Sequence, residues 1–219
     1  MTQRLTSNPN LHLHHDPLFN DMPIQVKYLP MVHEYLQLLQ KALENALDDY
    51  PRVVAMRFDP VIPTVLGDKM TAVNHNLLIP RFNASLKAII KHDIKRRRKS
   101  HWVPDTKVRI VWAREVGDNG KVHYHFLLIL NRGSYHMLGK ACSPNENLVS
   151  RISRAWYRAL RVQWNPQDPW IHVPENPTYW IDRDDPESFH KAFYRASYLC
   201  KVDTKKYGLG MRPFNTSHN

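Results

Sequence analysis

The sequence predicts an α+β fold built on one antiparallel sheet, and three observations carry that prediction. Strand-like and helix-like segments alternate through the middle of the chain. Two of the strands flank Gly117-Asp118-Asn119-Gly120, a strong hairpin signal, and the last third returns to helix, strand and helix.

Residues 1–29 carry prolines, asparagines and the cluster Leu11-His12-Leu13-His14-His15 without periodicity, and read as an extended arm whose histidines are solvated or packed. Over residues 30–50, Val32, Leu36, Leu39, Leu43, Ala46 and Leu47 recur every three to four positions, the stripe of a packing helix. Arg52 to Phe58 is rich in β-branched and apolar residues and is closed by Asp59-Pro60, so it predicts a largely buried strand. Helical spacing returns from Asn76 to Ile94 through Leu77, Leu78, Phe82, Leu86, Ile89 and Ile90, despite Pro80. Val108–Glu115 and Val122–Leu130 are the hairpin strands. Ser143-Pro144-Asn145-Glu146 has the form of a capping box with proline at the first helical position, predicting a helix to about Trp164. Ile171–Ile181 is strand-like but broken by Pro174 and Pro177, which suits an edge. Asp184-Asp185-Pro186-Glu187 opens a final helix running to about Lys205, and residues 208–219 are left as a tail. The core order over residues 51–207 is thus strand, helix, strand, strand, helix, strand, helix. An antiparallel ferredoxin-like or RRM-like sheet with helices packed on one face accommodates it.

A chain of 219 residues buries enough surface to hold a core without disulfides or a structural metal. Cys142 and Cys200 have no metal-site spacing and read as free thiols in a reducing cytoplasm. No stretch approaches a membrane span and the first residues lack a signal-peptide core, so no membrane partner is expected and the expected location is cytoplasmic. Lys plus Arg number 31 against 20 Asp plus Glu, a net charge of +11 that favours an acidic partner, most commonly nucleic acid. Lys95-Arg96-Arg97-Arg98-Lys99 is the densest basic run, readable as a solvated helix end or as phosphate contacts.

Chemistry enters on the hairpin. His123 and His125 lie two apart on a strand and so face one side. With a three-residue loop, Asp118-Asn119-Gly120, and Gly120 left-handed, opposed residue numbers sum to 238 and Glu115 faces His123. Two imidazoles and a carboxylate with open positions suit a divalent ion, magnesium or manganese, acting on phosphate. On the final helix Tyr194, Tyr198, Lys201 and Lys205 fall at i, i+4, i+7 and i+11, one face, while Phe189, Phe193, Ala196 and Cys200 supply a core stripe. A phenol attacks phosphorus once its proton is removed or its anion stabilised, and a lysine one turn away serves either need. Lys205 joins the basic run as a candidate DNA contact.

Glu115, then His123-Tyr124-His125, then Tyr-x-x-x-Tyr-x-x-Lys (Tyr194, Tyr198, Lys201) resembles the HUH endonucleases that initiate rolling-circle replication. The layout looks most like inovirus (filamentous phage) replication initiators and the related YagK/YfjJ-type prophage proteins, over roughly residues 50 to 207. The resemblance implies an RRM-like sheet, metal-dependent nicking of one DNA strand at a replication origin, a 5′-phosphotyrosine intermediate and rejoining by reversal. It makes Tyr198 the primary nucleophile and Tyr194 a possible second, with Lys201 in support and His123, His125 and Glu115 on the metal. Gly133 to Ala141 has the wrong spacing for a P-loop and lacks its Ser or Thr, so strand separation would need a separate helicase. Two rivals are a non-catalytic RRM-like nucleic-acid-binding protein and a single-tyrosine transposase of the same superfamily.

Overall fold

The computed structural model describes residues 3–63, 66, 70–117, 120–140, 142–143, 145–168 and 170–217. The chain opens with short strands β1 (Arg4–Leu5), β2 (Asn8–His14), β3 (Leu18–Phe19), β4 (Met22–Pro23) and β5 (Met31–Val32), followed by helix α1 (His33–Asp49). β1, β2 and β5 form one small sheet and β3 with β4 another. The segment expected as a plain arm is therefore ordered, because Phe19, Met22 and Ile24 bury against the core around α1. Two of its histidines are packed and His15 is exposed: His12 Nδ1 lies 2.6 Å from Glu34 Oε1, and the His14 ring, with that of His33 in α1, flanks Phe19.

The central sheet follows from β6 (Arg52–Pro60), β7 (Arg109–Val116), β8 (Val122–Asn131), β9 (Ile171–His172), β10 (Thr178–Asp182) and β11 (Phe214–Thr216). Its order is β10-β6-β8-β7-β11, every pair antiparallel, with β9 on the far end of β6. Residues expected to form a C-terminal tail thus contribute the outer strand β11. The strand broken by Pro174 and Pro177 resolves into β9 and the edge strand β10.

Helices cover both faces of the sheet, not the single face expected, which is why β8 reads as a near-continuous apolar run. Tyr124, Phe126, Leu128 and Leu130 face one core, with Phe82, Leu86 and Ile90 of α2 (Ala72–Arg97) and Ile152 and Trp156 of α3 (Leu148–Leu160). Leu127 and Ile129 face the other, with α1 and α4 (Pro186–Ser197).

Helix α2 runs past its expected ends, and α3 and α4 differ from expectation for reasons their hydrogen bonds show. α3 starts at Leu148, not after Ser143, because Asn147 and Ser150 form the capping box: Ser150 N donates to Asn147 Oδ1 at 3.0 Å and Asn147 N to Ser150 Oγ at 2.9 Å. It ends at Leu160, with Arg161 left-handed at φ 61°. α4 stops at Ser197 and passes into a 3-10 turn, Tyr198–Cys200. There Lys201 bridges Met31 and Val202 N donates to the Pro30 carbonyl, so the β5 region captures the backbone that would have continued the helix. Among the described residues no helix is long and apolar enough to cross a membrane.

Candidate functional site

The hairpin has the register its turn chemistry predicts. Gly120 is left-handed at φ 72°, Glu115 pairs with His123 and Ala113 with His125. Asp118 and Asn119 lie outside the described residues. Period two then puts His123, His125 and Glu115 on the α1/α4 face, joined from β6 by Arg57 and Asp59.

His125 sits between two carboxylates. Its Nδ1 is 2.9 Å from Asp59 Oδ1 and its Nε2 is 3.5 Å from Glu115 Oε2. Burial pulls the imidazole's pKa down, but hydrogen bonding to Asp59 and Glu115 outweighs it and the net direction is up. Asp59 also accepts from Arg57 Nη2 at 2.9 Å and faces His172 Nδ1 of β9 at 3.6 Å. Burial raises the Asp59 carboxyl, while His125 and Arg57 more than reverse that and hold it below the usual range.

Glu115 is the hub. Lys201 Nζ lies 3.0 Å from its Oε2, Lys205 Nζ 3.6 Å from its Oε1, and Thr204 Oγ1 donates to Oε2 at 2.7 Å. Burial opposes its charge, yet His125, Lys205 and Thr204 hold its pKa down to about 2. Lys205 is fully buried, and desolvation brings its ammonium down to about 8 despite the carboxylate. That position turns Lys205 toward Glu115 and away from the solvent-exposed DNA contact expected of it.

Tyr198 opens the 3-10 turn and stands over this cluster. Its ring meets His125 edge-on at 5.3 Å and Tyr28 at 4.8 Å, and Arg57 Cζ lies 5.2 Å from its centre. Lys201 Nζ donates to its Oη at 3.1 Å. Burial and the Glu115 charge push the phenol up, against Lys201 and Arg57. Tyr198, Lys201 and Lys205 thus converge on Glu115 and His125 although the helix meant to align them stops early. Tyr194 does not join them: it is exposed and lines a separate groove with Pro23, Tyr179 and His190. His123 is exposed beside the cluster, opposite Glu115.

The basic run is elsewhere, at the C-terminal end of α2, which packs on the other face of the sheet. Arg96 pairs with Asp93 and Glu146, Arg97 donates to the Ser134 carbonyl, and Arg98 pairs with Asp105 and donates to the Val103 carbonyl. Lys95 and Lys99 are exposed. The three arginines have structural work that a bare run of cations does not reveal.

Sequence reasoning missed Asp59 and Arg57. Asp59-Pro60 reads as the end of a strand, yet β6 continues through it. The available signal was parity: residues 53, 55, 57 and 59 share a face, and two of them are charged on a face otherwise made of Val53 and Ala55.

The donors suit a divalent cation in kind, an imidazole whose Nδ1 is oriented by a carboxylate beside a carboxylate whose buried Oε1 has no hydrogen-bond partner. Two lysines already neutralise that carboxylate, and no three His, Cys, Asp or Glu side chains gather into a ready cage among the described residues.

The family model for the YagK/YfjJ C-terminal domain matches residues 14–217. The Escherichia coli (strain K12) protein YagK is 33% identical over 193 residues, covering 84% of this chain and 92% of its own length. YfjJ of the same organism is 35% identical over 147 residues, 64% of this chain and 70% of its own. Both carry the description "uncharacterized protein". No solved structure gives a significant match.

Proposed function

The chain belongs to the YagK/YfjJ C-terminal domain family, and from that premise and the site's geometry we propose a metal-dependent, site-specific single-strand DNA endonuclease and strand-transferase of the HUH tyrosine class, initiating rolling-circle replication of a phage or prophage. The observation that carries this reading is the meeting, on one face of the sheet, of Glu115, His125 and the Tyr198 phenol with Lys201 on its oxygen. The strand order β10-β6-β8-β7, with α2 and α3 together on the opposite face, supports the RRM-like form of the fold.

In this reading Tyr198 Oη attacks the scissile phosphorus. The Oη–P bond forms as the P–O3′ bond breaks, the phenol gives up its proton, and the departing 3′-oxygen takes one up; the product is a 5′-phosphotyrosine and a free 3′-hydroxyl. Attack by that hydroxyl reverses the step and rejoins the strand. Lys201, on Oη, stabilises the phenolate. Asp59 fixes the His125 ring with Nε2 turned toward Glu115. Magnesium or manganese, held by His123, His125 and Glu115, would supply Lewis-acid polarisation of the phosphate. Tyr194, in its own exposed groove, would serve only a later transfer. The partner is single-stranded origin DNA in a bacterial host's cytoplasm, with a separate helicase.

A second reading, nucleic-acid binding without chemistry, draws on the two lysines already neutralising Glu115. One experiment separates the two. A labelled single-stranded oligonucleotide from the protein's genomic neighbourhood, with manganese, should give a covalent adduct on a denaturing gel, mass spectrometry should place it on Tyr198, and Tyr198→Phe should bind DNA yet form none. Binding with no adduct favours the second reading. Cleavage without protein linkage makes water the nucleophile, and a phosphotyrosyl peptide carrying Tyr194 reverses the two tyrosines.

A further inference from the structure

Four arginines are buried among the described residues: Arg57, Arg109, Arg114 and Arg151. Three have a carboxylate partner, Asp59, Asp49 and Asp93 respectively. Arg114, 2% exposed, has none within ion-pair distance among the described residues; its Nη2 donates to the Met211 carbonyl at 2.9 Å and its Nε has no hydrogen-bond partner. A guanidinium keeps its charge at any ordinary pH, so a buried one without a counter-ion carries a desolvation cost that an anion would relieve.

Arg114 lines a cavity of about 920 Å³ between α2, β7 and the C-terminal segment. Even-numbered β7 residues face it, so it lies on the opposite side of the sheet from Tyr198. Two hydrogen bonds pin its outer wall: Arg114 to Met211, and Asn76 Nδ2 to the Gly210 carbonyl at 2.7 Å. His75 Nδ1, 2.9 Å from Tyr124 Oη, ties α2 to β8 at its base. Trp112, Ile110 and Ile79 give it apolar walls, and Asn83 Oδ1 is a second buried polar atom without a partner. The space is of the size that takes small organic ligands, and its lining mixes apolar side chains with polar groups, the combination by which such a ligand is both held and oriented.

We propose that this cavity binds a mononucleotide unit, its phosphate on Arg114, its base against the Trp112 wall and an exocyclic amine of the base donating to Asn83 Oδ1. A phosphate offers the paired oxygens that a guanidinium matches. An orphaned amide oxygen wants a donor, which adenine and cytosine present and thymine lacks on its exocyclic groups. The unit comes either from the free nucleotide pool or from a nucleotide of a bound strand. The site is independent of the nickase reading, since it shares no residue with it.

Isothermal titration of the full chain with dAMP, dCMP, dTMP and inorganic phosphate tests this. dAMP and dCMP should bind at least about tenfold more tightly than dTMP or phosphate. Arg114→Gln should lose at least about tenfold in affinity for dAMP, and Arg114→Lys, which keeps the charge, should recover part of it. Asn83→Leu, which leaves the guanidinium in place, should erase the preference for dAMP over dTMP. Tyr198→Phe should bind as the wild type does, which separates this outcome from failure of the nickase reading. A tetranucleotide held more tightly than dAMP, with the gain abolished in Arg114→Gln, identifies a strand as the source; dAMP held more tightly identifies the free pool. No binding of any nucleotide, phosphate binding as tightly as dAMP, or unchanged affinity in a folded Arg114→Gln overturns the proposal.

Discussion

Replacing Glu115 by Gln removes the charge that two buried lysines share. The side chains involved are 6% exposed for Glu115, 7% for Lys201 and none for Lys205. Removing one partner from a buried ion pair costs about 3–5 kcal/mol. The ionisation of Glu115 gives a second route to the figure: a carboxyl at about 2 in the fold against 4.5 when free corresponds to about 3 kcal/mol. Lys205, already down to about 8, sheds part of its penalty by losing its proton, which favours the lower value. At roughly 2–4 °C per kcal/mol for a chain of this size, Glu115→Gln should unfold about 6–12 °C below the wild type at pH 7. The sign with pH follows from a folded pKa below the unfolded one. The stabilisation is complete above about pH 4.5 and is lost as pH falls toward 2, so the gap between the two proteins should close over that window. Circular-dichroism melting at pH 7, 5 and 3 measures it. A variant melting within 2 °C of the wild type at pH 7, or a gap that stays constant down to pH 3, would refute the hub role.

Asp59→Asn should lower the pKa of His125, followed through its ring protons by NMR, because burial then acts with one carboxylate fewer opposing it; an unchanged pKa removes Asp59 as the orienting partner. Asp93 accepts from Arg151 Nη2 at 2.7 Å, Arg96 Nη2 at 2.9 Å and Tyr135 Oη at 2.7 Å, so Asp93→Asn should cost about 3 kcal/mol and about 6 °C or more in melting temperature. A loss under 2 °C would return the neighbouring arginines to a purely electrostatic role. Lys95→Gln with Lys99→Gln should leave melting unchanged but reduce the slope of log affinity for single-stranded DNA against log salt by about 0.7 for each phosphate no longer neutralised. A slope equal to the wild type's would place both lysines outside the DNA path.

Local rules made the hairpin and its consequences legible. A Gly with positive φ at the end of a three-residue loop fixes the register, and the register alone brings Glu115 opposite His123. Helices with one apolar stripe, α1 above all, were readable for the same reason. What was hidden depends on partners distant in sequence. Nothing near Tyr198 says that α4 ends one residue earlier, because the competitor for its backbone is the Pro30-Met31 segment some 170 positions away by number. Likewise Asn147 displaces Ser143 as the cap of α3 because its exchange of hydrogen bonds with Ser150 is complete, although Ser143 with proline following is the stronger pattern. The arginine run looked like one feature, yet Asp93 holds Arg96 and Arg97, Glu146 shares Arg96, and Asp105 takes Arg98.

Lys201 connects the two halves of the site. Its ammonium lies 3.0 Å from Glu115 Oε2 and 3.1 Å from Tyr198 Oη, so one charge is shared between the carboxylate that would help hold a metal and the phenol that would attack. The Glu115 charge raises the phenol's pKa while Lys201 lowers it, and the two effects are coupled through this single nitrogen. Whatever neutralises Glu115 therefore acts on Tyr198 twice, removing a repulsive negative charge and leaving the ammonium more fully to the phenolate oxygen. With Arg57 and the buried Lys205 counted as cations against Asp59 and Glu115, the cluster holds three positive groups and two negative ones before His125 is protonated. That surplus is suited to an incoming phosphate, whose negative charge would balance the cluster while the lysine retains its place beside the phenol.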